Sequence, residues 1–228
     1  MISKIQQLFG KENSPDWNWY SALKPSLPVS KTPIDKIPFV VMDIESTGLN
    51  PKEDKILSIG AIPCFGKQIR TDLALEIKIR QEFYRSETIA IHEILPSREK
   101  ENKIEEKQAL IRFLKMAGNA VWVGHFSAFD FQIIKETASR HGLYSLHNPV
   151  LDTSKLLVRA DPDYRNPDEL KKGELTLSAI CKKLNLPIEE EHTAIGDALS
   201  TSFLFVYLIS ELRKRGIKNW KDLRRSCI

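Results

Sequence analysis

Cysteine is scarce in this chain of 228 residues, and its distribution excludes two classes of small domain. Cys64, Cys181 and Cys227 are odd in number and contain no CxxC pair. A disulfide scaffold needs an even, closely spaced set, and a structural zinc site needs paired ligands. We therefore expect a protein of a reducing compartment, the cytoplasm.

Long apolar runs are also missing from the sequence. The first residues soon become polar, so this segment lacks the apolar core of a signal peptide. The most apolar run, 203–209, is far shorter than the ~20 residues that span a bilayer. Internal repeats and low-complexity tracts are absent as well. These absences predict a globular protein without a membrane partner.

The charge balance excludes a strongly basic or strongly acidic protein. Lys and Arg number 34 against 30 Asp and Glu, which gives a formal net charge of +4. Such a small positive net charge is compatible with a polyanionic partner but does not require one. Hydrophobic residues make up 42% of the chain, enough for one sizeable core but not for two comfortable domains.

Three segments are expected along the chain. Residues 1–36 are predicted to be an N-terminal extension, which packs its aromatic residues on the main domain or docks a partner. Prolines interrupt regular structure there (Pro25, Pro28 and Pro33). Residues 37–214 are predicted to form the main domain, and 215–228 a basic C-terminal tail.

The hydrophobic pattern of the main domain predicts an α/β layer fold with a mixed sheet. Three apolar or alternating runs at 37–45, 55–65 and 73–79 indicate strands, and 120–124 indicates another. Helical spacing follows in segments that alternate with strands (104–116, 129–141, 175–184 and 197–213). Consecutive strands followed by alternating helices and strands are typical of such layered folds.

Acidic residues mark the ends of these elements. Asp43 and Glu45 lie two apart at the end of the first strand, so their side chains project from the same face. Two neighbouring carboxylates repel each other and are costly to desolvate, and a bound Mg²⁺ would remove both costs. Taken alone, this pair is weak evidence for a metal, because a strand end that simply reaches solvent also explains it.

Two more acids and a histidine stand at helix starts or just before one. Asp130 follows a predicted buried strand, where the helix dipole would also favour an acid. Asp197 opens the most apolar helix of the chain, and His192 precedes it by five residues. Neighbouring acids should favour the protonated form of His192, which is relevant if it transfers a proton.

Taken in order, three motifs resemble those of a known enzyme family. DIESTGL at 43–49, HFSAFD at 125–130 and HTAIGDA at 192–198 are similar to the exonuclease motifs of the DnaQ-like family, in its DEDDh branch. This family includes the proofreading epsilon subunit of bacterial DNA polymerase III. The resemblance covers about residues 37–212. It implies a ribonuclease H-like three-layer fold, with a central mixed five-stranded sheet flanked by helices.

The resemblance also implies a catalytic site. Asp43 would bridge two divalent ions, with Glu45 and Asp197 completing one site and Asp130 helping to hold the other. His192 would be the general base that deprotonates the attacking water. The ions would be Mg²⁺, for which Mn²⁺ can substitute. The reaction would be 3′→5′ hydrolysis that releases nucleoside 5′-monophosphates.

The same resemblance implies a binding site for the 3′-terminal nucleotide. Backbone N–H groups and an apolar wedge beside the last base would come from one loop (Ser46, Thr47, Gly48 and Leu49). His92 belongs to a segment similar to the family's IHGI sequence, which lines the terminal-base pocket. Two positions depart from the family pattern: Glu93 replaces a glycine, and Phe126 replaces the asparagine common after the histidine of the middle motif.

Several functions remain compatible with these residues. Single-stranded or frayed 3′ ends are the expected substrate, and Ser46 favours DNA because oligoribonucleases usually have methionine there. An RNA exonuclease of ribonuclease T or oligoribonuclease type shares all five catalytic residues, and a non-catalytic binding module would be expected to lack one of them. A DNA polymerase or a sliding clamp is a possible partner. The basic residues between Arg213 and Arg225 could contact phosphates, or they could form a solvated face.

Overall fold

The computed structural model describes residues 12–81, 103–164, 166 and 170–225. A six-stranded sheet forms its centre, with the order β3–β2–β1–β5–β6 and with β4 also pairing with β2. The strands are β1 (Pro38–Ser46), β2 (Ile56–Phe65), β3 (Gln68–Ile69), β4 (Leu75–Lys78), β5 (Val121–Gly124) and β6 (Val150–Asp152). The predicted α/β layer fold is confirmed.

Strand β1 is central in this sheet. It pairs antiparallel with β2 and parallel with β5, which in turn pairs parallel with β6. The mixed sheet predicted from the sequence is therefore present. The side chains of Phe39, Val41 and Met42 are almost fully buried, because helices cover both faces of the strand.

The number of strands differs from the expected five. The segment predicted as one strand at 73–79 is preceded by a separate short strand, because a helical turn at Thr71–Leu73 divides β3 from β4. The division lies opposite Ile62 and Pro63, since β3 pairs with 64–65 and β4 with 58–61. Proline has no N–H to donate to a neighbouring strand, which favours an interruption at this point.

Helices form a layer on each face of the sheet. They are α1 (Asn18–Ser21), α2 (Glu106–Ala117), α3 (Ala128–Arg140), α4 (Thr153–Ala160), α5 (Leu177–Lys183), α6 (Ala194–Lys214) and α7 (Trp220–Leu223). Even-numbered residues of β1 pack with α2 and α3, whereas odd-numbered residues pack with α4, α5 and α6. The face on which each β1 side chain lies thus decides which helical layer it meets.

Helix α6 has the length and the composition of a membrane-spanning helix. Slightly more than half of its apolar window is nevertheless buried within the protein. Its residues Leu204, Phe205 and Leu208 are fully buried, and they belong to the core formed with β1, β5 and α4. The apolar character of this helix therefore serves the packing of the sheet.

Both flanking segments contribute to the core. Trp17 and Tyr20 are fully buried against the face that carries α2 and α3. Near the other end, Trp220 and Leu223 are buried against the opposite face. The domain boundaries at 36 and 214 stay predictions, but the described parts of both segments pack on the sheet.

A partly buried ion cluster joins the start of α2 to the end of α3. Arg140 and His141 each donate a hydrogen bond to the carboxylate of Glu106, at 2.9 and 3.0 Å. Burial favours the protonated carboxyl group, but the bonds from His141 and Arg140 outweigh it and lower the pKa of Glu106 to about 2. The cluster therefore stabilises the fold when Glu106 is ionised.

Substitution Glu106→Gln is expected to lower the free energy of unfolding by about 2 kcal/mol at pH 7. A lowered pKa in the folded state means that this stability is complete above the ordinary glutamate pKa and is lost as the pH falls towards 2. Urea unfolding at pH 7 and at lower pH measures the difference, which should shrink on acidification. Glu105→Gln is the control, because the Glu105 side chain is 62% exposed. An equal effect of both substitutions would contradict the prediction.

Candidate active site

The site begins at the carboxyl end of β1. Asp43 and Glu45 lie on the face of the strand that is covered by α6, since they continue the series of Phe39 and Val41. Both acids are partly buried, and Asp43 lies directly opposite Gly60 of β2. The pairing of β1 with β2 shifts between Glu45 and Ser46, so the ladder becomes irregular where the acids end.

The first turn of α6 approaches this strand end closely. A Cβ atom on Gly60 would lie 2.1 Å from the carbonyl oxygen of Ala194, so only glycine permits this contact. The helix starts after Thr193, whose hydroxyl accepts a hydrogen bond from the Gly196 amide at 3.1 Å. Asp197 then follows in the first turn of the helix.

This approach brings three acids together. Carboxylate oxygens of Asp43, Glu45 and Asp197 lie within 4.8 Å of one another. All three side chains are partly buried, so water compensates their mutual repulsion only in part. A set of hard oxygen donors at this spacing is suited to a divalent cation.

Asp130 lies in the first turn of α3 and adds its charge to the group. It is outside the tight cluster of three, but its charge raises the pKa of both Asp43 and Glu45. Burial, and then the neighbouring Asp152, raise the pKa of Asp130 itself to about 7. The structure thus brings the predicted fourth acid into the electrostatic environment of the other three.

The remaining pKa shifts have the same direction. Burial raises the pKa of Asp43 well above its usual range, and the charges of Asp130, Asp197 and Glu45 add to the effect. Burial also raises the pKa of Glu45 to about 7, with further contributions from Asp197 and Asp130. For Asp197, burial raises the pKa, and contact with His192 opposes the rise. A bound cation would stabilise all four ionised groups at once.

A cleft of about 180 Å³ opens beside these acids. Asp43 and Asp197 line its floor, and His192 and Glu191 line the other side together with the start of α5. His192 is exposed, with a left-handed backbone at φ 67°. Its backbone N–H donates a hydrogen bond to Asp197 Oδ2 at 3.2 Å. The hydrogen bond to the acidic cluster thus comes from the backbone of His192 and does not involve its imidazole ring.

His125 forms another wall of the cleft and is held by hydrogen bonds. Its Nε2 atom lies 3.0 Å from the carbonyl oxygen of Leu175, which can only accept, so Nε2 carries a proton. Nδ1 lies 2.9 Å from the hydroxyl of Thr153. Burial lowers the pKa of His125, and the Thr153 hydroxyl beside Nδ1 also donates a hydrogen bond to the Gly124 carbonyl at 3.2 Å. This ring positions neighbouring backbone and does not project freely into the cleft.

The loop after β1 supplies the residues predicted to bind the terminal nucleotide. Ser46 donates its hydroxyl to the carbonyl of Gly48 at 2.7 Å, and Thr47 donates to Asp54 at 3.0 Å. A Cβ atom on Gly48 would lie 2.5 Å from Asp54 Oδ2, so glycine is needed for packing at this position. Leu49 is 86% exposed and leaves an apolar side chain available at the tip of the loop.

Two predicted positions have different outcomes in the structure. His92 and Glu93 lie outside the described residues, so their predicted place in the terminal-base pocket stays a prediction. Phe126 has a left-handed backbone at φ 49° and is 51% exposed. Its backbone N–H donates to Asp152 Oδ1 at 3.1 Å.

Sequence reasoning missed the importance of two residues. Gly60 allows α6 to reach the acids, but it lies within an ordinary apolar strand and only its lack of a side chain could have marked it. Asp152 caps α4 by accepting a hydrogen bond from the Ser154 amide at 2.9 Å. The same carboxylate also raises the pKa of Asp130. Its position at the end of a short strand was the available signal.

Similarity to known proteins agrees with this arrangement. The profile of a family described as Exonuclease, of the RNase T type, matches residues 40–205, which include all four acids and His192. The chain belongs to this exonuclease family. The resemblance to DnaQ-like exonucleases and the assignment as an enzyme are thereby confirmed.

Among curated relatives, the exonuclease resembles much longer replication enzymes. It is 31% identical over 178 residues to the PolC-type DNA polymerase III of Clostridium perfringens (strain 13 / Type A). The match covers 77% of this chain but 11% of the relative. The exonuclease thus spans only about a tenth of that polymerase.

Solved structures with the same fold include E. coli exonuclease I. A complex with a dT13 oligonucleotide has a TM-score of 0.64 and 13% identity, and the match covers 79% of this chain and 42% of the other. A zinc-ion-bound complex with single-stranded DNA has a TM-score of 0.63 and 15% identity, covering 78% and 41%. These similarities confirm the ribonuclease H-like fold that the motifs implied.

Proposed function

We propose that this exonuclease removes nucleotides from the 3′ end of DNA and releases nucleoside 5′-monophosphates. The observation that carries the proposal is the cluster of Asp43, Glu45 and Asp197, whose oxygens lie within 4.8 Å of one another. A cleft open to solvent adjoins this cluster and includes His192. Carboxylates grouped beside an accessible cleft are suited to phosphodiester hydrolysis that depends on metal ions.

The residues of the cluster fit a divalent metal. They offer oxygen donors, and burial together with the neighbouring acids raises the pKa of Asp43 and Glu45, a cost of ionisation that a positive charge would offset. Asp43, Glu45 and Asp197 would hold one ion, and Asp43 with Asp130 would hold a second. We propose Mg²⁺ as the physiological ion and Mn²⁺ as a substitute. When bound, the ions would make hydroxide available near neutral pH and stabilise charge on the leaving oxygen.

The protein's own residues would then orient the substrate. The exposed Leu49 would contact the face of the 3′-terminal base, and the tight turn at Gly48 would let backbone N–H groups approach the terminal nucleotide. His192 would accept a proton from the attacking water. Its exposed side chain at the cleft leaves room for the water and the scissile phosphate.

DNA is favoured over RNA as the substrate. Curated relatives include PolC-type DNA polymerases, and the exonuclease I complex with the same fold contains a dT13 strand. An RNA exonuclease remains the second candidate, because the described site contains the same acids and histidine that such enzymes share. Association with a DNA polymerase or a sliding clamp is a further proposal, supported by the resemblance to PolC-type polymerases.

One experiment tests the reaction, its polarity and its substrate together. Matched DNA and RNA strands of one sequence, single-stranded or with a frayed duplex end and labelled at the 5′ or the 3′ end, are incubated with Mg²⁺ or Mn²⁺. Stepwise shortening of 5′-labelled DNA, with release of labelled mononucleotide from the 3′ end, is expected. Faster degradation of RNA would shift the proposal to the second candidate. Absence of hydrolysis with every strand and both metals would contradict it.

Replacement of His192 by asparagine is expected to lower kcat by about 10²–10⁴-fold, the usual contribution of a general base. Asparagine tolerates the left-handed backbone of this position, and the bond to Asp197 comes from the backbone. The increase in melting temperature caused by Mn²⁺ should therefore persist in the variant. Unimpaired turnover in His192→Asn would remove this residue as the base.

A further inference from the structure

A basic groove lies beside the first turn of α3, the turn that carries Asp130. It has a volume of about 280 Å³ and lies between the start of α3, the strand β6, the helix α4 and the C-terminal segment. Ala128, Phe131 and Val150, which are exposed or partly exposed, contribute apolar surface to it. Its charged lining consists of Lys155, Arg159, Arg224, Arg225 and Asp152.

The charges of the groove favour a polyanion. Four cationic side chains line it against a single carboxylate. That carboxylate, Asp152, already accepts hydrogen bonds from the Phe126 amide and from the amide and hydroxyl of Ser154. A ligand with several negative charges is therefore attracted by the four cations more than it is repelled by Asp152.

Arg159 holds the C-terminal segment in place beside the groove. Its guanidinium group donates to the carbonyl oxygens of Leu223 and Asp222 at 2.6 and 2.7 Å. These bonds hold the end of α7 against α4, and Arg224 and Arg225 follow directly after it. Both arginines are exposed, so their guanidinium groups are accessible to phosphates at the edge of an apolar floor.

The groove and the catalytic site share a boundary. Ala128 and Phe131 line the groove, and both flank Asp130 in the first turn of α3. Asp152 lines the groove and also acts electrostatically on Asp130. A chain that leaves the cluster of acids can thus enter the groove without crossing the protein.

Phe126 stands at this boundary. Its ring centre lies 4.8 Å from that of His125, which lines the cleft, while its amide contacts Asp152, which lines the groove. A left-handed backbone is unfavourable for phenylalanine, whereas glycine or asparagine would adopt it at little cost. Half of the aromatic surface is exposed, so burial does not account for the residue. Strain of this kind at a site is a sign of function.

We propose that the nucleic-acid strand leaves the cleft across the ring of Phe126 and continues into the basic groove. The inference rests on the proposed function and identifies the path of the nucleotides that precede the 3′ end. Phe126 stacks on one base, which aromatic faces do regardless of sequence. Arg224, Arg225 and Lys155 contact the following phosphates, and the apolar floor receives a sugar or base edge.

Removal of the arginine charges beside the groove tests this path through the affinity for nucleic acid rather than through hydrolysis. The double variant Arg224→Gln/Arg225→Gln is compared with Lys36→Gln/Lys67→Gln, which removes two exposed charges that do not line the groove. Both are made with Asp43→Asn, so that a labelled strand of about 12 nucleotides stays intact. Kd is measured by fluorescence anisotropy over a range of salt concentrations.

The path predicts a specific difference between these variants. Each phosphate contact on a single strand adds about 0.7 to the slope of log Kd against log salt. Loss of two contacts should lower the slope by about 1.4 and raise Kd about 10-fold near 0.1 M salt, while the control variant binds as the parent does. Equal slopes for the groove variant and the parent would overturn the proposal. This result is also expected if the groove binds an acidic protein segment and no nucleic acid.

Phe126→Asn tests the aromatic platform separately. Asparagine tolerates the left-handed backbone, so the melting temperature should stay the same or rise. Kd for the strand is expected to rise about 5-fold or more, as the loss of one stacked base predicts. Phe126→Tyr should restore tight binding, because it keeps the aromatic face. Unchanged binding in Phe126→Asn would overturn the platform. Failure of the wild-type protein to hydrolyse any strand would instead refute the proposed function, and this outcome is distinct from a failure of the binding measurements.

Discussion

Replacement of Asp43 by asparagine is expected to abolish hydrolysis and, at the same time, to stabilise the metal-free protein. Asp43 is partly buried among the acids, and the charges of Asp130, Asp197 and Glu45 all act on it. Loss of its bond to a metal ion should cost several kcal/mol of transition-state stabilisation, which is ~10³-fold or more in rate. The rate is measured with a 5′-labelled DNA strand and Mg²⁺.

The stability of the same variant should change in the opposite direction. A carboxyl group whose pKa is raised in the folded state makes the fold less stable when it ionises, so its penalty is present at neutral pH. Asparagine removes the charge and keeps the shape. A gain of about 1 kcal/mol, or 2–4 °C in melting temperature, is expected for a chain of this size in the presence of a chelator.

Addition of metal ions should make the wild-type protein more stable than the Asp43→Asn variant. Mn²⁺ at about 100 times its Kd stabilises a protein that binds it only when folded by about 2.7 kcal/mol, and Asp43→Asn should lose most of this gain. Asp72→Asn is the matched control, because Asp72 pairs with Arg70 at a distant, exposed position and should affect neither rate nor metal response. An unchanged melting temperature of the wild-type protein at saturating Mn²⁺ would contradict the metal site itself.

Substitution Gly60→Ala is expected to have the second largest effect, although Gly60 has no side chain and takes no part in the reaction. Its added Cβ would lie 2.1 Å from the Ala194 carbonyl oxygen and 2.4 Å from the Ile195 nitrogen. Both are backbone atoms, so the start of α6 must move. A shift of about 1 Å in Asp197 relative to Asp43 can lower the rate about 10²-fold.

The loss of activity should exceed the loss of stability in this variant. Overpacking of a core costs about 1–3 kcal/mol, which a stable domain survives. Gly216→Ala is the control, because Gly216 has a backbone φ of 88° but no atom within 4 Å of the new Cβ. It should lower stability through backbone strain alone and leave kcat intact. Parallel losses of activity in both variants would show that Gly60 does not position the site.

The local pattern of the sequence was sufficient to predict part of the site. Asp43 and Glu45 share a face because the side chains of a strand alternate, whatever the strand packs against. Asp197 was expected at the start of an apolar helix, and the helix does begin after Thr193. The family profile, which covers 40–205, confirmed the exonuclease assignment that these motifs implied.

Contacts between distant segments could not be predicted in the same way. The need for glycine at 60 exists only because the start of α6 packs on that strand. The exposure of Phe126 and the additional charge of Asp152 beside Asp130 depend on how β5 and β6 lie next to each other. The division of β3 from β4 likewise depends on which residues of β2 they pair with.

The sequence by itself determined the class of fold, the order of the acids and the chemistry that they can support, because these follow from periodicity and from the side chains themselves. Only the tertiary structure decided which acids share a cleft, how closely α6 approaches the sheet, and that a basic groove adjoins Asp130. Such features depend on distances between residues that are far apart in the chain. Those distances are set by the packing of two helical layers against one sheet.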